Sequence, residues 1–420
     1  MPSQGDEVTP RRDAYASLRQ RNFRWFIISL FAMTLGAQIE GVVVGWQVYS
    51  ITHDPLALGL IGLAEALPFI SISLPAGHTA DRLNRRTIAL CALGATLLCS
   101  TTFLIFSLTP AVLAIRGAWP FYAVIFVSGI ARAFLQPARN ALATEIVPRS
   151  EIPNAVAWRS STWQTAAVVG PAIGGLLYGF TSATVAYATD AALMVLAVIA
   201  FSMISYAHTR VIDTTESLAE SLRAGIRFVM HQRVILGALT LDLFSVLLGG
   251  AEALLPIFAA EILHVGPKGL GILRAAPAAG AVLMSIHLAH RAPLERAGRA
   301  LFFAVATFAL AIVGFGLSRN FFLSFALLAA SGMADNISVV IRSTLLQTLT
   351  PVEMLGRVSA VNSIFIGSSN ELGAFESGVT ARLFGAVPAV ILGGLASLGV
   401  TGTVAWMVPP LRRLGRLDGE

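Results

Sequence analysis

The groups best placed to do chemistry in this 420-residue chain are polar side chains set inside long apolar runs. They are Gln38, Glu40, Arg132, Asp242, Glu252, Asp335, Asn336, Asn362, Asn370 and Glu371. A charge in hydrocarbon costs about 3 kcal/mol or more unless it meets a partner or water. Residues kept there at that cost line a polar path, hold a substrate group or carry a proton. Glu40 and Arg132 have the elements of a switch: burial favours a neutral carboxyl, a nearby guanidinium favours the ionised one, and arginine stays charged. A carboxylate whose contact with such a cation changes between conformations would bind and release a proton, and Asp335 is the second candidate. Structural pairing that only holds helices together is the competing account, and for Asp242 and Glu252 the two stand level. Glu65 and Arg274, related by the repeat and near the outer ends of their spans, read either as a gate salt bridge between the halves or as two independent solvated residues.

Other chemistries lack their residues. The chain has no phosphate-binding loop, no nucleophile elbow and no Cys/His set with metal spacing. Cys91 and Cys99 share one apolar run, where eight residues of helix separate them by about 12 Å, too far for a disulfide. His287 and His290 are an isolated pair at a run's end. An enzyme, a cofactor and a metal are therefore not expected.

These polar groups need a scaffold that lies in a membrane. The chain is 55% hydrophobic and only 12% charged, against about 25% charged in soluble domains. Windows of about 20 apolar residues fall at 24–50, 57–77, 87–108, 119–138, 155–179, 184–206, 234–260, 269–288, 300–317, 321–341, 358–380 and 385–408. An all-α polytopic protein with twelve spans follows. It divides into a tail (1–23), a six-helix bundle (24–206), a linker (207–233), a second bundle (234–408) and a second tail (409–420).

The positive charges set the orientation. Of 29 Lys and Arg residues, 23 fall at one set of span ends, which also holds both tails. Cytoplasmic loops collect positive charge, so both termini are expected in the cytoplasm, with the chain in a bacterial-type inner membrane. The net charge of +6 then reports topology, and nucleic acid is not an expected partner. The N-terminal stretch has no short apolar core followed by a small-residue cleavage site, so it reads as a tail and not a signal peptide. In the linker, Leu218, Leu222, Ile226 and Val229 fall at helical spacing, which predicts an amphipathic helix lying on the inner membrane face.

The two halves repeat. Gly62, Ala66, Pro68 and Arg82 match Gly271, Ala275, Pro277 and Arg291 at one constant spacing. Gly129, Arg139, Pro148, Gly170 and Gly175 match Gly332, Arg342, Pro351, Gly373 and Gly378 at another. Arg132 and Asp335 share the second spacing, which sets a cation and an anion at similar depth in the two halves.

Between the second and third spans stands Gly77-His78-Thr79-Ala80-Asp81-Arg82-Leu83-Asn84-Arg85-Arg86. Its charges exclude it from hydrocarbon and mark a tight surface turn. Gly77, Asp81, Arg82, Arg85 and Arg86 match the loop signature of the major facilitator superfamily, which the chain resembles over nearly its whole length. Asn84 replaces the signature's second glycine, and asparagine tolerates a left-handed turn. Gly170, Pro171, Gly174 and Gly175 resemble the superfamily's antiporter motif, in which small residues permit close helix approach and proline bends the axis. Gly225-Ile226-Arg227-Phe228 and the segment Leu346–Val358, with Pro351, Gly356 and Arg357, resemble the enterobactin exporters and macrolide-efflux proteins.

The resemblance implies two parallel six-helix repeats around a cavity lined by helices 1, 4, 7 and 10, working by alternating access. It implies proton-driven export of a siderophore or an amphipathic drug-like molecule by a chain expected to act as a monomer. It also implies that Asp81 approaches Gly356–Arg357 when the inner side closes. A lipid or lysophospholipid transporter on the same fold is the alternative. A non-transporting membrane sensor is a third reading, and it predicts loss of the loop signature and the cavity charges, both of which are present.

Overall fold

The computed structural model describes residues 13–206, 218–290 and 296–415. Its long helices are α1 (Arg21–Thr52), α2 (Pro55–Arg82), α3 (Arg85–Leu108), α4 (Trp119–Glu145), α5 (Ile152–Phe180) and α6 (Ala183–Ser202), then α7 (Arg233–Leu248), α8 (Gly266–Ala289), α9 (Ala297–Leu317), α10 (Phe321–Leu349), α11 (Leu355–Phe384) and α12 (Ala386–Met407). No strand occurs among the described residues. Ten helical segments are long and apolar enough to cross a membrane. The other two, α5 and α11, are as long at 29 and 30 residues but carry more polar side chains.

Local chemistry sets the helix ends. Asp54 accepts from Leu56 N at 3.0 Å and is followed by Pro55, a cap and first-turn pair that starts α2. Asn320 and Ser182 cap α10 and α6 in the same way. Asn84 accepts from Arg86 N at 3.0 Å and Thr87 N at 3.3 Å, with φ −61 and ψ 110. The expected left-handed turn is absent there: asparagine replaces glycine because its side chain caps α3.

Within the first half, α1 packs on α5 and α6, and α4 packs on α2 and α3. Within the second, α10 packs on α8 and α9, and α12 packs on α9. The halves meet through α2 against α11 and α5 against α8. Apolar clusters fill each half, one around Phe23, Phe26 and Leu142 and another around Leu301, Ile341 and Leu345.

Two further expectations change. The seventh span is not one helix: α7 stops at Leu248, and a 3-10 turn (Ala251–Leu254), a short helix (Leu255–Ile257) and a π-type turn (Phe258–Ile262) follow. The Gly249-Gly250 pair and Pro256 give the break its cause, since glycine weakens a helix and proline cannot donate to one. Arg139 and Arg342, each one residue beyond the expected fourth and tenth spans and so expected in loops, lie inside α4 and α10. The linker helix (Leu218–His231) docks on protein. A Cβ on Gly225 would lie 2.9 Å from the Arg357 carbonyl oxygen, and Val229 is buried with Ile235, Val358 and Val361. Gly225 and Val229 thus pack on the start of α11, while Ile226, on the same apolar face, stays 43% exposed.

Candidate functional site

Arg132 is the centre of the polar cluster between the halves. It bonds Glu65 on α2, and its Nη2 donates to Glu371 Oε1 on α11 at 3.0 Å. Its guanidinium also lies 4.9 Å from the centroid of the Phe69 ring. One cation is thus held by a carboxylate from each half. The helices that carry these acids touch because they have little bulk there: a Cβ on Gly62 would lie 2.7 Å from the Glu371 carbonyl oxygen, and one on Gly378 would lie 2.6 Å from Gly59 Cα. Arg132 was expected beside Glu40, and Glu65 beside Arg274 if those two formed a gate bridge. Glu65 takes Arg132 instead because α2 packs directly on α4. Arg274 donates to the Gly41 carbonyl oxygen at 3.0 Å, a second contact across the halves.

The small-residue motif of α5 serves two neighbours. Gly170 and Gly174 face α1, where added Cβ atoms would lie 2.5 Å from Gln38 Cβ and 3.0 Å from Ile39 Cα. Gly175 faces the other half: its Cβ would lie 2.6 Å from the Pro267 carbonyl oxygen and 2.7 Å from Gly271 Cα. Gly271 in turn lies against the Pro171 carbonyl oxygen. Nearby, Lys268 Nζ sits 3.5 Å from the centroid of the Phe180 ring, Tyr49 bonds Glu261, and Arg382 reaches Asp54 at 3.5 Å. These contacts join the halves at the ends of α1, α2, α5 and α11 away from the chain termini. Toward the termini, Gly77 on α2 and Gly356 on α11 have open space within 4 Å of an added Cβ.

Glu40 is met by residues of its own half. Ser100 on α3 donates to Glu40 Oε2 at 3.3 Å, and the Asp190 carboxyl of α6 lies against the Glu40 carboxyl. Asp190 is fully buried, and a Cβ on Gly36 would lie 2.6 Å from its Oδ1. Two carboxyl groups in contact are satisfied when one carries a proton and donates to the other.

In the second half, Asp242 and Arg342 form an ion pair with 7% and 4% exposure. Asn336 accepts from Ser285 at 3.2 Å. Asp335 is half-buried and lies within electrostatic range of Glu252, which is exposed at the break after α7. Asn362 lines a cavity of about 330 Å³ with Arg342, Ser343, Gln347 and Ser359, and its Oδ1 is enclosed without a partner. Asn370 is exposed on α11.

At the loop signature, Arg85 bonds Glu145 at the end of α4 and donates to the Ala80 carbonyl oxygen at 3.3 Å. Arg86 donates to the Ser202 carbonyl oxygen at 2.6 Å. These two arginines tie α3 to α4 and α6. Tyr206, beyond α6, donates to Glu145 at 2.6 Å, and partial burial with that bond pushes its phenol up to about 12. The side chains of Asp81 and Arg82 lie outside the described residues, and so does the expected contact of Asp81 with Arg357. Arg357 Nη1 approaches Met354 Sδ at 3.6 Å.

Asp190 and Arg342 were missed as site residues. Asp190 is the only charged residue of α6, which was the available signal. Arg342 was counted as a loop charge, although its repeat relation to Arg139 placed both at equivalent depth.

The comparisons with known proteins agree with this architecture. The model of the transmembrane secretion effector family matches residues 12–417. The chain is 26% identical over 400 residues to the enterobactin exporter EntS of Citrobacter koseri, which covers 93% of this chain and 92% of the relative. EntS of Shigella boydii matches at the same 26% over the same span. Among solved structures, an inward-facing, occupied bacterial homologue of the human lysosomal transporter Spinster superposes with a TM-score of 0.74 at 13% identity, covering 94% of this chain and 98% of that one. The nucleoside transporter NupG, as a mutant, superposes at 0.72 with 11% identity, covering 92% and 99%. The low identities of these two make them a statement about fold. The chain belongs to the transmembrane secretion effector family, and is a multi-pass membrane transporter of the major facilitator type, not an enzyme.

Proposed function

We propose that the protein is a secondary transporter of a bacterial inner membrane, with both termini in the cytoplasm. It exports a siderophore or an amphipathic drug-like molecule by alternating access, in exchange for protons. The observation that carries this reading is Arg132 held by Glu65 from its own half and Glu371 from the other. A bond of that kind joins the halves in one conformation and breaks in another, so whatever competes for the arginine biases the exchange. The similarity to the enterobactin exporters supports a siderophore as the first substrate to test.

The Glu40–Asp190 contact supports protons as the coupling ion. Glu40 is half-buried and Asp190 is fully buried, so a proton shared by the two is held away from bulk water. Gln38 precedes Glu40 by two residues on α1. In the second half the intramembrane acids are Asp335, which lies near Glu252, and Asp242, which is paired with the cation Arg342.

The test uses the purified protein in liposomes with an imposed pH gradient. Enterobactin, a macrolide and a cationic dye are offered in turn. Uptake of one of them that collapses with the gradient is the expected result. Transport that ignores the pH gradient would remove the proton, and movement of labelled phospholipid alone would replace the substrate class.

A further inference from the structure

Arg139 on α4 and Arg342 on α10 hold equivalent places in the repeat, but their surroundings differ. Arg342 bonds Asp242 on α7, and both side chains are buried. Arg139 Nη1 meets Met33 Sδ on α1 at 3.7 Å. Met33 therefore stands in the first half where Asp242 stands in the second, and among the described residues the first-half arginine has no carboxylate within ion-pair distance. Its Nε is enclosed without a hydrogen-bond partner.

A second arginine reaches the residue next to Arg139 on α4. Arg159 on α5 lies within electrostatic range of Arg139. Its Nη2 donates to Asn140 Oδ1 at 2.7 Å, and its guanidinium lies 5.9 Å from the centroid of the Phe26 ring. Among the described residues no carboxylate stands within ion-pair distance of Arg139 or Arg159. The next charge, Arg132, is a further cation and is already held by two glutamates. Two half-buried guanidinium groups that repel each other lower the stability of the bundle unless something negative joins them.

We infer that Arg139 and Arg159 form a site for an anionic group, a carboxylate or phosphate that occupies the place Asp242 fills in the other half. The planar donors of two guanidiniums suit a two-oxygen anion, which would take the free Arg139 Nε–H. Two sources share this chemistry: an acidic group of a small solute and the phosphate of an anionic phospholipid. The inference does not depend on proton-coupled export, because its test requires no transport.

The test measures thermal unfolding of the full chain at constant ionic strength set with chloride. One arm adds inorganic phosphate or benzoate to protein in lipid-free detergent micelles. The other compares phosphatidylcholine nanodiscs with and without phosphatidylglycerol. Wild type is expected to melt higher with at least one of the anions. A response to phosphate or benzoate assigns a soluble ligand, and a response to phosphatidylglycerol alone assigns the headgroup. Arg159→Gln is expected to weaken the response about tenfold, as loss of one charge-assisted contact does. Met33→Asp supplies the missing carboxylate, so it should raise the melting temperature without ligand and abolish the response. That variant keeps the test decisive should Arg159→Gln fail to fold. No shift in wild type with any of the three anions overturns the site, as does a full wild-type response in Met33→Asp.

Discussion

Arg132 Nη2 and Glu371 Oε1 lie 3.0 Å apart although they belong to opposite halves of the molecule. Arg132 reaches its own-half acid, Glu65, with the other guanidinium nitrogen. Removing Glu371 therefore leaves the arginine paired within its half and takes away only the bridge. A charged hydrogen bond contributes about 1.5–3 kcal/mol, and the 40% exposure of the Arg132 side chain reduces that to roughly 1 kcal/mol. Glu371→Gln should shift the balance between conformations about fivefold toward the state in which α2 and α11 are parted. Cysteines placed near Gly59 and near Gly77 would report it, with labelling rising at the first and falling at the second. Unchanged labelling at both positions would mean that the bridge does not hold the halves.

The glycines of α5 should separate two kinds of defect. Gly170 packs on α1 of its own half, so Gly170→Leu should lower expression and melting temperature, because helices in one bundle cannot part to make room. Gly175 packs on Gly271 of the other half, so Gly175→Leu should leave the fold intact and block closure at that end. Substrate binding in detergent would then persist while transport in liposomes falls at least tenfold, about 1.4 kcal/mol. Equal loss of expression in both variants would contradict the assignment of Gly175 to the interface.

Coupling should follow the carboxyl pair. Glu40→Gln and Asp190→Asn are each expected to abolish pH-driven efflux and to retain exchange at equal concentrations on the two sides. The two should behave alike because the proton belongs to the pair. If both pump normally and Asp335→Asn does not, the proton site lies on α10.

The buried pair Asp242–Arg342 predicts a sign reversal. Asp242→Leu alone strands a buried cation and should destabilise by about 3–5 kcal/mol. Adding Arg342→Met should recover most of that loss, since an apolar pair of similar size is often neutral or better. Melting temperatures of the two variants against wild type decide it, and a double variant no better than the single one would overturn the account.

At the loop signature, Asn84→Ala should cost about 1 kcal/mol and Asn84→Gly only a few tenths, because glycine is a tolerable cap and alanine is not. A left-handed role would give glycine a clear gain instead. Unfolding in detergent measures the order of the three.

Much of this protein was decided by the chain itself. Runs of about 20 apolar residues cannot remain in water, and in a bilayer their backbone bonds close only within helices, so the number and order of the helices α1–α12 could be read from the chain, though not all their ends or the break after α7. The sharing of charges between span ends, the surface turn at Gly77–Arg86 and the small-residue face of α5 were legible for the same reason, since each depends on neighbours along the chain. Partner choice was not. Glu65, Glu40 and Asp190 lie on different helices, and which acid meets Arg132 depends on how those helices rotate and pack, which periodicity leaves open. Asp190 looked like an isolated polar residue until α6 was seen against α1. Arg139 and Arg342 looked like loop charges until α4 and α10 proved longer than their apolar cores. The tertiary structure set Arg342 against Asp242 and left Arg139 beside Met33, a difference that arises where two helices distant in sequence bring single side chains together.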